Sequence, residues 1–369
     1  MINIKLNNGI EMPILGLGIY KITDKKELYN AVKWAVDSGY RKFDTAQFYD
    51  NERELGEAIR KTGIDREKVF ITTKIWNTNQ GYKSTRESFE ESLKKLNMDY
   101  VDLLLIHWPG QKKERYLDTW RALENIYQIK KARAIGVSNF EIKHLNDIFA
   151  NCVIAPVINQ IERHPNLNRK ELIEFCKSHN MNIEAWSPLA RGKLIDNKTL
   201  ESIAEKYNKT VAQIILRWNI ENKIVVIPKS ITKERIEENI DIFDFSLEEE
   251  DIKKIDSMNN NKQVALIFFS IPALAIITTP LPIPATIFLF SKNNFASPCA
   301  RQSSHNVMHP KPPTNIIASK FTVSTSLNKS SILTELPNLP CPSPIIEEEI
   351  FVLYPLFSNI FFVSKYSSS

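Results

Sequence analysis

The sequence predicts an α/β fold, a closed (β/α)8 TIM barrel with an N-terminal β-hairpin cap, on three observations. Across residues 1–258, short apolar runs alternate with longer segments of helical period, and such alternation builds a parallel sheet. Eight runs in this length suit a closed barrel better than an open, doubly wound sheet. The dinucleotide fingerprint of the open alternative is also missing. Gly16-Leu17-Gly18 has no third glycine, and Ile19-Tyr20-Lys21 does not open a phosphate-binding helix.

Taken in order, the expected strands are Ile14–Leu17, Lys42–Phe43, Val69–Thr73, Val101–Ile106, Ala134–Val137, Val157–Ile158, Asn182–Ala185 and Ile224–Ile227. Between them the helical period predicts Lys25–Ser38, Glu52–Thr62, Ser84–Leu96, Leu117–Lys130 and Arg169–His179. Asp65 reads as a helix or turn initiator, and Ser84 as an N-cap with Glu87 in capping-box position. The glycines at 16 and 18 read as a tight strand-end turn.

Composition divides the chain of 369 residues near Asn259-Asn260-Asn261, giving a barrel over 1–262 and a tail over 263–369. Every glycine lies at or before Gly192 and every tryptophan at or before Trp218, whereas the tail is rich in Ser, Pro, Ile and Phe and has no aspartate after Val264. The net charge of +5 owes part of its excess to that acid-poor tail. Lys112-Lys113 and Lys130-Lys131 read as solvated helix faces without interleaved aromatics, which excludes a nucleic-acid partner. Cys152, Cys176, Cys299 and Cys341 are widely spaced, implying reduced thiols, a cytoplasmic location and no metal site. The first residues carry no basic and apolar secretion signal.

Candidate chemistry gathers at strand ends. The loop Gly39 to Glu52 brings Asp44 and Tyr49 together after one apolar run, and Lys74 and His107 close two later ones. In a barrel these ends face the active mouth. A phenol with a pKa near ~10 is a poor acid unless a cation such as Lys74 stabilises its phenolate. A lysine removed from water needs a carboxylate such as Asp44 to stay charged. A neutral His107 could orient a carbonyl oxygen. Singly, each residue has a blander reading, as a turn cap, half-buried packing, a solvated cation or a core histidine; their shared placement favours chemistry. Lys229, Ser230 and Arg235 put two cations and a hydroxyl ahead of a helix, which suits a phosphate dianion.

These motifs, with Ile135-Gly136-Val137-Ser138-Asn139-Phe140, Asn159 to Pro165 and Ile227-Pro228-Lys229-Ser230 in order, resemble the aldo-keto reductase family over residues 1–258, and bacterial reductases of small aldehydes and diketo sugars in particular. The resemblance implies NADPH-dependent reduction of aldehydes and ketones. Tyr49 would give the proton, Lys74 activate it, Asp44 partner Lys74 and His107 orient the carbonyl. Ser138, Asn139 and Gln160 would hold the nicotinamide carboxamide, and Trp186, where the family often has Tyr, would stack on the ring. Ser187 and Leu189 join the cofactor set. Lys229, Ser230 and Arg235 would grip the 2′-phosphate, with Glu238 and Asn239 near the adenine; Tyr20, Trp76 and Trp108 would line the substrate pocket. The resemblance further implies a monomer acting on a small carbonyl substrate.

Two departures stand out. The segment before the fifth strand, Tyr127 to Lys131, lacks the family's usual glycine, and nothing after Asn261 resembles the family's mouth-covering C-terminal loop. Val264–Ser291 carries no charge and is long enough for a membrane, but Pro272, Pro280, Pro282 and Pro284 oppose a spanning helix. Later Pro- and Ser-rich text predicts disorder, and the tail as a whole reads as a non-native extension. An NADPH-binding sensor without turnover, or a product impaired by its tail, are the alternatives; the intact Asp44, Tyr49, Lys74 and His107 set favours the enzyme.

Overall fold

The computed structural model describes residues 2–264 and four short strands beyond them, 286–291, 321–322, 348–353 and 360–364. The chain divides into two compact units, Met1–Ala265 and Leu266–Ser369.

The first unit opens with an antiparallel hairpin, β1 (Asn3–Lys5) against β2 (Glu11–Pro13), turned at Gly9. Leu6 and Met12 are buried beneath it. Asn7 and Asn8 donate side-chain bonds to the Pro156 and Arg133 carbonyls, pinning the hairpin to the barrel wall. Eight parallel strands follow: β3 (Leu17–Gly18), β4 (Lys42–Asp44), β5 (Phe70–Ile75), β6 (Val101–Ile106), β7 (Ala132–Ser138), β8 (Ile158–Glu162), β9 (Asn182–Trp186) and β10 (Val225–Val226). Each pairs with its sequence neighbour. A parallel bridge between Leu15 and Val226, with Gly18 N–H donating to the Pro228 carbonyl, joins the first strand to the last.

Strand bounds differ most from expectation at β8, which runs through Asn159, Gln160 and Glu162. All five of its residues are buried. A search for apolar runs stops at such a strand because polar side chains occupy its inward positions. Gly16 and Gly18 also depart from the expected turn, since neither has a left-handed backbone. An added Cβ at Gly16 would press on the Lys42 side chain, and one at Gly18 on the Ile227 carbonyl. These glycines allow close approach where the barrel closes.

Helices alternate with the strands: α1 (Lys25–Asp37), α2 (Glu52–Thr62), α3 (Tyr82–Leu96), α4 (Lys113–Gln128), α5 (Ile142–Phe149), α6 (Lys170–Ser178), α7 (Lys198–Tyr207), α8 (Val211–Glu221), α9 (Lys233–Ile240) and α10 (Glu249–Ser257). Asp24 caps α1 by accepting from the Lys26 and Glu27 N–H groups. Ser84 is not the cap of α3: the helix starts after Gly81, at φ 113°, and Ser84 lies within the first turn and donates to the Gln80 carbonyl. Lys112, Lys113 and Lys130 are exposed as expected, but only Lys113 lies within a helix. Lys113 pairs with Asp147, Lys131 with Glu90, and Lys130 turns the chain out of α4 at φ 62°. That left-handed position explains why a glycine suits the segment.

Within the second unit, β11 (Thr286–Ser291), β12 (Phe321–Thr322), β13 (Glu348–Leu353) and β14 (Ile360–Ser364) form an antiparallel sheet in the order β12-β11-β13-β14. Their β-branched and aromatic content favours strands. The expectation of a tail without regular structure therefore meets four strands. The membrane-anchor reading of Val264–Ser291 and the remaining expectations for the tail fall largely outside the described residues; among those described, no helix is long and apolar enough to cross a membrane.

Gly56 is where α2 and α3 touch, and an added Cβ there would sit 2.0 Å from the Leu96 carbonyl oxygen. Gly56→Ala is expected to destabilise the chain by about 1–3 kcal/mol, lowering the urea midpoint at constant slope. An unchanged midpoint would mean the two helices part without cost.

Candidate active site

The C-terminal ends of β4 and β5 carry Asp44 and Lys74, and His107 follows β6 directly. Tyr49 ends a short 3-10 turn, Gln47–Tyr49, that is held from several sides. Gln47 donates to the Ser88 carbonyl and accepts from the Trp76 N–H and Asn79. Asn51 donates to the Ile19 and Ile22 carbonyls and accepts from Thr45. The turn is thereby bolted to the barrel wall, and Tyr49 has a fixed direction.

Lys74 is fully buried and donates to three acceptors: Asp44 Oδ1 at 2.5 Å, the Thr45 carbonyl at 2.9 Å and the Tyr49 hydroxyl at 3.3 Å. An ammonium has only donors, so the phenol oxygen accepts from it and the phenol hydrogen is left to point elsewhere. Burial pushes the Tyr49 phenol well above its usual range, with the negative charge of Asp44 the next cause. The expected contact of Lys74 with Tyr49 is present, beside a loss of water and a carboxylate that both raise the phenol. His107 is held well below the usual imidazole range by burial first and by the charge of Lys74 second. Its Nδ1 has no hydrogen-bond partner among the described residues.

Beside this group, Ser138 Oγ donates to the Gln160 carbonyl, and Asn139 Nδ2 donates to the His107 carbonyl and to Ser138 Oγ. Trp186 Nε1 donates to Asn139 Oδ1 at 2.9 Å, so the indole is tethered to the amide next to it. Gln160 Nε2 donates to Asp44 Oδ2 and Glu184 Oε2. Asn139 and Ser187 adopt left-handed backbone at φ 63° and 48°, and Leu189 closes the same loop with its carbonyl bonded to Gly192 N–H. Non-glycine residues in that region cluster at functional sites.

Further around the rim, Lys229 and Ser230 follow β10, and Arg235 lies exposed in α9. Partial burial pushes the Lys229 ammonium down, with Glu27 opposing and nearby Lys21 adding to the shift. Asn239 is buried, whereas the Glu238 carboxylate accepts from Thr210 at the start of α8. Among the aromatic residues, Tyr20 packs against Tyr49 with ring centres 4.9 Å apart, and Trp76 meets His107 edge-on at 5.1 Å. Trp108 is half-buried, and its carbonyl accepts from Gln80.

Four neighbours were not singled out from sequence. Phe48 is half-exposed and stacks on Trp76 at 4.0 Å; its place between Gln47 and Tyr49 was the available signal. Lys21 adds a cation beside Lys229. Lys42 and Glu184 form a fully buried ion pair at 3.0 Å below Gln160. Period-2 spacing from Asp44 and Trp186 could have placed both inside the barrel.

A closed parallel barrel whose mouth holds a buried lysine, its carboxylate, a protonated phenol and a neutral imidazole is an oxidoreductase scaffold for carbonyl chemistry. The chain belongs to the aldo/keto reductase family, whose family model matches residues 14–260. It is 52% identical over 261 residues to a glyoxal reductase of Bacillus subtilis (strain 168), covering 71% of this chain and 94% of that one. Among solved structures, an aldo-keto reductase from a Medee basin deep-sea metagenome library matches with TM-score 0.70 and 48% identity, over 73% of this chain and 99% of its own. A Bombyx mori aldo-keto reductase in complex with NADP matches with TM-score 0.68 and 37% identity, over 72% and 95% respectively.

His107 links this site to pH. The unfolded imidazole titrates near about 6.5, while the folded one stays neutral to lower pH. As pH falls through that value the unfolded state gains a proton the native state does not, and stability is lost. His107→Asn should therefore gain stability relative to the unaltered chain as pH drops from about 7 to about 5. Urea titrations at each pH would check this, and a constant difference between the two would count against a buried neutral His107.

Proposed function

We propose that this chain reduces small aldehydes and dicarbonyl compounds, glyoxal among them, to alcohols with NADPH as the hydride donor. The observation that carries the reading is the contact of Lys74 with both Asp44 and the Tyr49 hydroxyl at the barrel mouth, with His107 beside them. Tyr49, kept protonated by burial, supplies the proton to the substrate oxygen. Lys74 is the cation that meets the phenolate left behind, and Asp44 holds Lys74 charged. His107 stays neutral, so one ring N–H can donate to the carbonyl oxygen.

The residues present fit NADPH. When bound, the cofactor supplies the hydride. Buried Ser138 and Gln160 and half-buried Asn139 offer amide and hydroxyl groups suited to a carboxamide, and Trp186 offers a tethered ring to stack on. Lys229, Ser230 and Arg235, joined by Lys21, offer the charge for a 2′-phosphate, with Asn239 and Glu238 toward the adenine. Tyr20, Phe48, Trp76 and Trp108 form the apolar rim that receives the substrate. We place this activity in residues 1–262, acting as a cytoplasmic monomer; the wide spacing of the four cysteines in the sequence supports a reducing compartment, and the family resemblance supports the monomer.

NADPH absorbance followed with glyoxal tests the reading. Tyr49→Phe is expected to cut turnover by about 10²–10⁴-fold, with NADPH still bound in a fluorescence titration; full turnover in that variant would remove Tyr49 as the acid. Arg235→Ala should weaken NADPH by roughly tenfold and leave NADH unchanged. Equal loss for both would place Arg235 away from the 2′-phosphate.

A further inference from the structure

We propose that the buried Lys42–Glu184 ion pair is a positioning device that locks the Gln160 side-chain amide in one orientation, and so sets how the chain grips the nicotinamide carboxamide. This rests on the NADPH reading above.

An ion pair in a barrel core needs a reason. Barrel interiors are ordinarily filled by Val, Ile and Leu, and two charges taken out of water stabilise little beyond what apolar residues of that volume would. Here both side chains are fully buried. Lys42 Nζ lies 3.0 Å from Glu184 Oε1 and donates to Thr72 Oγ1 at 2.9 Å. The barrel has made room for it, since a Cβ on Gly16 would sit 2.7 Å from Lys42 Cγ.

The consequence appears one layer nearer the mouth. Glu184 presents its other oxygen, Oε2, to Gln160 Nε2 at 2.9 Å, and the same nitrogen reaches Asp44 Oδ2 at 2.7 Å. A primary amide has two N–H donors and both are now spent on carboxylates. Turned over, the amide would set its oxygen against two anions, so a single orientation survives. The group Gln160 retains for a ligand is therefore its carbonyl oxygen, an acceptor matched to a carboxamide N–H. Asp44 gains from the same bond, because one oxygen is tied to Gln160 and the other to Lys74. Lys42 keeps this arrangement alive by compensating Glu184. Without it, a buried carboxylate close to Asp44 would take up a proton, and the amide would no longer face two anions.

Lys42 and Glu184 are thus positioning residues rather than catalytic ones. The test uses the full chain and two variants, Lys42→Met and the charge-neutral pair Lys42→Met/Glu184→Gln, the second guarding against loss of folding in the first. Calorimetric titration measures binding of NADPH and of 2′,5′-ADP, which shares the phosphate end and lacks the nicotinamide. The expected result is NADPH affinity lowered by roughly five- to tenfold, the worth of one oriented hydrogen bond, with 2′,5′-ADP affinity unchanged. Equal weakening of both ligands would mean the pair supports the barrel in general, and no change in either would mean the amide does not depend on it; each overturns the proposal. If the unaltered chain binds 2′,5′-ADP but not NADPH, or neither, the NADPH reading fails first and this inference falls with it.

Discussion

Keeping an ammonium charged inside a dry barrel is the constraint from which the rest of the site follows. Lys74 is fully buried, and a lysine in that position loses its proton unless a carboxylate compensates it. Asp44 does so on one oxygen, which leaves the other in need of a donor. Gln160 fills that need, and its second N–H calls for another acceptor, supplied by Glu184. Glu184 in turn requires Lys42, and the stem of Lys42 requires the missing side chain at Gly16. Strands β4, β5, β8 and β9 and the segment leading into β3 each give an inward position to this chain of obligations. The sum is two cations and two anions joined through a neutral amide, so the interior carries polar groups without carrying net charge.

How far the sequence reveals this depends on where the residues lie relative to the barrel wall. Strands such as Val101–Ile106 are legible because a parallel strand buried on both faces is apolar throughout. β8 is not, because Asn159, Gln160 and Glu162 interrupt the apolar run, and Gln160 is the one proposed to meet the cofactor. Asp44, Tyr49, Lys74 and His107 could be read from residue type and strand-end placement. Lys42 and Glu184 sit inside predicted strands, yet nothing local says that each faces the other across the barrel. Their partnership depends on closure, which the 3.6- and 2-residue periods do not encode. Ser84 failed as a cap for a different reason: Gly81 can adopt the backbone that starts α3 a few residues earlier, and sequence spacing cannot choose between two starts.

The direction of the Tyr49 shift changes what the lysine is for. A cation lies at 3.3 Å, while burial and then Asp44 push the phenol up. A donor for carbonyl reduction must carry its proton when substrate arrives, so a raised value secures the correct form. In the proposed mechanism the contribution of Lys74 falls later, when the oxygen becomes anionic and its positive charge is already in place. Burial lowers His107 at the same time, so the same dry environment keeps both mouth-facing groups neutral.

A neutral mouth above a compensated interior has a consequence for recognition. Positive charge at the rim includes Lys21 and Lys229, where burial lowers the Lys229 ammonium and Glu27 offsets part of that effect. In the proposed reading a dianion bound there would meet those cations, while an uncharged carbonyl meets aromatic surface and two neutral donors. In the proposed reading charge is thus sorted by depth: balanced pairs inside, neutral groups at the reacting centre, and cations where phosphate would sit. The sorting lets the chain hold a strongly charged cofactor by one end without exposing the small, uncharged substrate to that charge. It also explains why the positioning task falls to a buried pair, since an exposed ion pair would be screened by water and could not fix an amide.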